Sequence, residues 1–213
     1  MNWKEKALTY FNKESFFTIP EHFRSEHGNT LERWSTWDKF VNDSGYKTAA
    51  ILSFIFKPKV IVEFGVHFGW TSLLWCKFNP TARVHGVDRY GHPHNSILPT
   101  GYVPLMHDCK NYSLHIADSY NFSMPEQVNL CFIDGWHFAP TVLKDCWRAW
   151  ENCNKNEPWC ILWDDYAPGS PDVVEAVDIF TKEIGYELHE LGGWKWIGNI
   201  QFTEAEAETF FYQ

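Results

Sequence analysis

From residue 46 onward, short apolar runs alternate with polar turns. Residues 48–56 are apolar with helical character, and Pro58 breaks the run. Residues 60–64 form a β-branched run, 65–69 a turn bounded by two glycines, and 71–78 a helical stretch. Residues 83–88 read as a second strand, 112–117 as a weaker third and 128–133 as a fourth. Residues 140–150 form a helix with Pro140 in its first turn. A fifth strand spans 159–163. A helix follows over 171–184, with Pro171 near its start and Val174, Val177 and Ile184 among its apolar positions. Two late strands, 186–191 and 195–202, are joined through Gly192-Gly193, a hairpin signal.

The first, fourth and fifth strands are near-continuous apolar runs, the pattern of strands covered on both faces of a parallel sheet. Strands alternating with helices then predict an α/β fold: a doubly wound, mostly parallel, seven-stranded sheet with an antiparallel C-terminal hairpin. Residues 1–45 are polar, aromatic and weakly periodic. They read as a separate extension of short helices and loops before the domain at 46–213, and ordinary packing on the sheet is favoured over a lid for most of their aromatics. Segment 91–111 is rich in Gly and Pro and predicts a long loop with at most a short helix.

Composition narrows the class. Apolar residues make up 45% and charged residues 21%, which excludes a disordered acidic tail or a fibre. The formal charge of −9, with no basic block to relieve it, argues against a nucleic-acid partner. No apolar run is long enough to cross a bilayer, and the first residues lack the apolar core of a signal peptide, so a soluble cytoplasmic protein is expected. The six cysteines include no C-x-x-C pair, and Cys131 and Cys160 fall inside apolar strands, where a free thiol packs as a small hydrophobe. Aromatic residues reach 18%. Two readings stand: a bulky core, or a ring-walled cleft for a flat or sugar-like ligand. Self-association is left open.

In a doubly wound sheet, ligands bind beyond the carboxyl ends of the strands. The first strand ends Glu63-Phe64-Gly65-Val66-His67-Phe68-Gly69, a turn whose glycines suit close backbone approach to a ligand. It lacks the middle glycine of a dinucleotide-binding turn. Asp88 ends the second strand, where a carboxylate can accept bonds from two ribose hydroxyls. Asp118 and Ser119 end the third, near where a base could lie. The fourth ends Asp134-Gly135-Trp136-His137 and the fifth Asp164-Asp165. Three carboxylates at one rim call for a cation, and all-oxygen ligands favour Mg2+, with Mn2+ and Ca2+ as alternatives. The competing reading is helix caps or loop-amide acceptors. His137, at the same mouth, can act as a general base. His85, His92 and His94 form another cluster near Asp88, but the His-Pro-His lies in a proline-rich loop and is read as loop in preference to a zinc site, and Asp145 is read as structural.

Together, Glu63-Phe64-Gly65-x3-Gly69, Asp88 and Asp118 resemble the cofactor loops of class I S-adenosylmethionine-dependent methyltransferases. Ile133-Asp134-Gly135-Trp136-His137, with Asp145 and Trp150 beyond it, is similar to a stretch found in metal-dependent O-methyltransferases of natural-product sugars. Asp164-Asp165 falls where those enzymes supply two further metal ligands. The resemblance implies S-adenosylmethionine held by Glu63, Gly65, His67, Gly69, Asp88, Asp118, Ser119 and Asp134. It also implies a divalent ion on Asp134, Asp164 and Asp165, a small-molecule acceptor and His137 as catalytic base. The rival functions are a nicotinamide-dependent oxidoreductase, a nucleic-acid base methyltransferase and a non-catalytic cofactor-binding protein.

Overall fold

A computed structural model describes residues 44–89 and 99–200. In chain order the elements are α1 (Ser44–Phe56), β1 (Val60–Phe64), α2 (Trp70–Phe78), β2 (Arg83–Asp88), α3 (Tyr102–Met106) and β3 (Tyr112–Ile116), then β4 (Leu130–Ile133), α4 (Ala139–Asn152), β5 (Cys160–Trp163), α5 (Pro171–Ile184), β6 (His189–Leu191) and β7 (Trp194–Gly198). They build one seven-stranded sheet in the order β3-β2-β1-β4-β5-β7-β6. All pairings are parallel except β5–β7 and β7–β6, as the apolar runs and the Gly-Gly hairpin predicted.

Alternate residues of the central strands feed two cores. Ile61, Leu130, Phe132, Cys160 and Leu162 face α1, α2 and the hairpin tryptophans Trp194 and Trp196. Val62, Phe64, Cys131, Ile133, Ile161 and Trp163 face α4 and α5. Burial on both faces is why these strands carry no polar alternation. Much of the aromatic excess is core: Trp75, Trp159 and Trp163 are fully buried. Trp150 packs edge-on against Trp159 at 5.4 Å, and Trp163 does so against Phe180 at 6.0 Å. The six cysteines are free thiols and five are buried. No described helix is long and apolar enough to cross a membrane.

Several boundaries shift. α1 begins at Ser44, so it crosses the 45/46 boundary drawn from sequence. β6 and β7 are shorter than predicted. Segment 91–111 contains α3, which lies under the β1–α2 turn: Gly101 and Val103 donate their amides to the carbonyls of His67 (2.8 Å) and Phe68 (3.0 Å). The expectations for residues 1–43, His92 and His94 lie outside the described residues. On the outer strands, His85 and His115 stack with ring nitrogens 3.1 Å apart. Burial pushes both imidazoles below their usual range, and each His85 proton is further opposed by His115.

The chain runs outward from β1 to β3, then returns to lay β4 on β1's other side. The crevice at the carboxyl ends of β1 and β4 is therefore the topological switch point. There the Asp134 amide donates to the Phe64 carbonyl at 2.8 Å, and Gly65 turns at φ 86°. A Cβ on Gly65 would stand 1.8 Å from the Asp134 carbonyl oxygen, and one on Gly69 would stand 2.6 Å from Pro104. At these two positions the glycines admit the protein's own backbone and the Pro104 ring. Gly65→Ala is expected to destabilise the fold by about 2–4 kcal/mol, from left-handed strain plus overlap, measured as a lower denaturation midpoint in urea.

Candidate active site

Two cavities open at the switch point. One, of about 590 Å³, is lined by Gly65, Asp88, Asp118, Ser119, Trp136 and Asp145 among others. The other, of about 430 Å³, is lined by Glu63, Gly69, Trp70, Asp164, Asp165 and Trp194 among others. His67 and Asp134 line both, so the residues singled out from sequence are split between two chambers that share a wall.

The larger chamber is built on the β1–α2 turn. Asp88 Oδ2 accepts the amides of Val66 and His67, each at 2.9 Å, which fixes the turn against the end of β2. His67 adopts a left-handed φ of 49° to present that amide, and its ring stacks on Phe68 at 3.8 Å. Opposite, the guanidinium of Arg89 sits 4.2 Å over the Trp136 ring. Trp136, Phe138 and Tyr120 are large exposed aromatics at this mouth, so the ring-walled reading of the aromatic content applies here while the bulky-core reading applies below. Sequence reasoning passed over Tyr120, Phe138 and Thr141; nothing in their spacing marked them.

The smaller chamber is acidic. Glu63 is buried at its floor, where its carboxyl accepts a hydrogen bond from the Ser72 hydroxyl. Burial pushes the Glu63 pKa well above the carboxylate range, and the Ser72 bond opposes that. Register explains the acidic rim. Ile133 pairs with Trp163, so the residues that follow each, Asp134 and Asp164, leave the sheet side by side. Ser44, Gly45 and Tyr46 of α1 and the Gly192-Gly193 turn complete the wall. The sequence places Ser44 and Gly45 in the N-terminal extension, ahead of the helix at 48–56, and marks Gly192-Gly193 only as a hairpin.

Among the described residues, Asp134, His137 and Asp165 bring one ligand atom each within 4.8 Å of one another. His137 Nε2 lies 3.1 Å from Asp165 Oδ2 and 4.0 Å from Asp134 Oδ1. Asp165 reaches it through a left-handed φ of 54°, the kind of strain a well-packed site can hold in place. Asp164 lines the same chamber but does not join this group; the structure gathers His137 in its stead.

Charge is tightly balanced. Burial, then Asp164 and Asp165, push the Asp134 carboxyl up to about 7, against the pull of His137. Hydrogen bonds to Asp134 and Asp165 raise the His137 imidazole to about 10, and Asp165 is lowered in return. Without a metal ion, then, the ring is an imidazolium that serves as the counter-charge of the carboxylates. A ring with a raised pKa stabilises this arrangement fully below its unfolded value near 6.5, and the contribution is lost as pH rises through about 10. In metal-free protein, NMR titration is expected to find His137 still protonated at pH 8. Asp165→Asn should bring its titration down toward the ordinary value.

No family model matches the chain, and neither does any curated protein. Solved structures do. The chain is similar to the apo structure of CalS11, a TDP-rhamnose 3'-O-methyltransferase of calicheamicin biosynthesis, at 17% identity over 93% of this chain and 92% of that one, with a TM-score of 0.58. It is similar to the O-methyltransferase from Bacillus cereus in complex with SAH, at 12% identity over 88% and 100%, TM-score 0.58. The O-methyltransferase NovP matches at 14% identity over 78% and 81%, TM-score 0.56. At such identities the likeness is one of fold, and with the strand order it establishes that the chain adopts the Rossmann-like fold of class I O-methyltransferases.

Proposed function

We propose that the protein is an S-adenosylmethionine-dependent O-methyltransferase. Its acceptor would be a hydroxyl of a small metabolite, a diol or sugar that chelates a divalent ion. The observation that carries the reading is the shared wall: Asp134 belongs both to the chamber that suits a nucleoside and to the acidic chamber that suits a cation and a polyol. That one structural neighbour acts on a TDP-sugar lends weight to the acceptor class.

In this reading the β1–α2 turn receives the cofactor, whose sulfonium supplies an electrophilic methyl group. Asp88, which fixes the turn amides at the end of β2, stands where it would meet the ribose hydroxyls. Asp118 and Ser119 lie toward the base. The donor set fits a hard cation: Asp134 and Asp165 are gathered, Asp164 is adjacent, and the burial that raises Asp134 would be relieved by positive charge. A divalent ion there would lower the pKa of a bound hydroxyl and fix its direction. Glu63 and Trp70 bound the acceptor's space, which excludes bulk water and holds the hydroxyl in line.

His137 takes the acceptor proton in this scheme. Its own proton is held by the carboxylates that would ligate the ion, so the ring becomes a base only when Asp134 and Asp165 have another partner. The net charge of −9 and the carboxylates that line both chambers support a small-molecule partner over a nucleic acid.

Calorimetry should show binding of S-adenosylhomocysteine and none of a nicotinamide dinucleotide; the reverse would favour an oxidoreductase. Asp88→Ala should weaken that binding by about 1–3 kcal/mol, and unchanged affinity would remove Asp88 from the site. Methyl transfer should be sought on a panel of vicinal diols (catechols, sugars, glycosylated metabolites) with and without Mg2+. Activity that survives exhaustive chelation would exclude the metal. With the true acceptor, His137→Gln should lower kcat on the order of 100- to 10,000-fold with little change in cofactor affinity. A kcat within a few-fold of wild type would assign hydroxyl activation elsewhere.

A further inference from the structure

Away from both chambers, the end of α2 meets the segment that follows α3 at a third hollow of about 440 Å³, lined by Cys76, Lys77, Asp108 and Cys109 among others. Two bonds tie the segments together. Lys77 Nζ donates to the His107 carbonyl at 3.0 Å, and Asn111 Nδ2 donates to the Cys76 carbonyl at 3.3 Å. The Cys109 backbone is pinned on both sides, its amide on the Pro104 carbonyl (3.0 Å) and its carbonyl under the Tyr112 amide (3.2 Å). These tethers set the Cys76 thiol against the Cys109 sulfur, to which it donates a hydrogen bond. Cys76 is only 2% exposed, whereas Cys109 is the one cysteine of the six that is not buried.

We propose that Cys76 and Cys109 are a reversible redox pair, which a hydroperoxide converts to a disulfide that locks α3 beneath the β1–α2 turn. The Cys109 thiolate attacks one peroxide oxygen, the O–O bond breaks and hydroxide leaves, giving a sulfenic acid. The Cys76 sulfur then attacks the Cys109 sulfur, and the sulfenic oxygen departs as water with the Cys76 proton. The proton lost when Cys109 ionised turns the hydroxide into a second water. Two thiols give up two electrons and hydrogen peroxide takes them. Environment sets the roles. The Cys76 hydrogen bond pulls the Cys109 thiol below its ordinary value, helped by Lys77 and opposed by burial and Asp108. The same bond and burial push Cys76 up, so it stays the thiol that resolves. Burial pushes Cys131, Cys146, Cys153 and Cys160 up as well, which leaves them unreactive. The lock follows from position: Gly101 and Val103, at the start of α3, already hold the His67 and Phe68 carbonyls of the turn. A covalent bond from α2 to Cys109 would close that arrangement at its far end. The pairing holds whatever either chamber binds.

The test treats the reduced full chain with hydrogen peroxide, alkylates the remaining thiols in denaturant and maps the peptides by mass spectrometry. One cross-link is expected, joining Cys76 to Cys109 and cleaved by dithiothreitol. Cys76→Ser should halt the reaction at a Cys109 sulfenic acid that dimedone traps, and Cys109→Ser should leave Cys76 unoxidised. Cys76→Ala, which removes the hydrogen-bond donor, should slow alkylation of Cys109 at pH 7 by about 3- to 10-fold. In the oxidised protein, hydrogen exchange at the Gly101 and Val103 amides should slow by about tenfold, because the cross-link opposes local opening. Thiols that both stay alkylatable, a different pair linked first, or Cys109 overoxidised beside a free Cys76 would overturn the pairing. A disulfide that leaves exchange at Gly101 and Val103 unchanged would overturn the lock. The peptide map is made on wild type, so a variant that fails to fold leaves the test decisive.

Discussion

The ends of β1 and β4 approach so closely that the Asp134 carbonyl fills the space where any residue but glycine would carry its side chain at position 65. Much of the site follows from that contact. It forces the left-handed turn that starts the β1–α2 loop, and the loop's amides then find their acceptor in Asp88. It also holds the Asp134 backbone against the switch point, so that its side chain stands between two chambers. A looser crossing would leave the two chambers as unrelated hollows.

The acidic chamber has an electrostatic constraint of its own. Glu63, Asp134, Asp164 and Asp165 converge at one end of a low-dielectric sheet, and such a cluster must shed charge by protonation or recruit a cation. The protein does some of both. Glu63 and Asp134 are pushed upward, and His137 supplies positive charge. The same imbalance would draw a metal ion, so His137 and the ion compete for one pair of carboxylates.

Much of this was readable because a strand buried on both faces is a run of apolar residues, and the first polar residue after it marks the carboxyl rim. Asp134 and Asp164 were found that way, and Asp88 as the residue that ends the second strand. What could not be read depends on a single backbone angle or on packing at a distance. The left-handed turn at Asp165, and not the order of the Asp-Asp pair, decides which carboxylate meets His137. The helix–hairpin wall brings Ser44, Gly45 and Tyr46 beside Gly192 and Gly193, segments with no sequence signal in common.

The histidine pair on the outer strands gives this architecture a proton-linked margin. His85 and His115 share a hydrogen bond that needs at least one neutral ring, and folding has lowered the proton affinity of both. Their contribution is whole above the unfolded value of about 6.5 and drains away as acid titrates the folded pair. β3 lies at the margin of the described sheet, and Asp118 and Ser119 follow its end. Acidification would therefore reach the Asp118–Ser119 end of the larger chamber through the edge of the sheet, by proton uptake at rings that lie outside its lining.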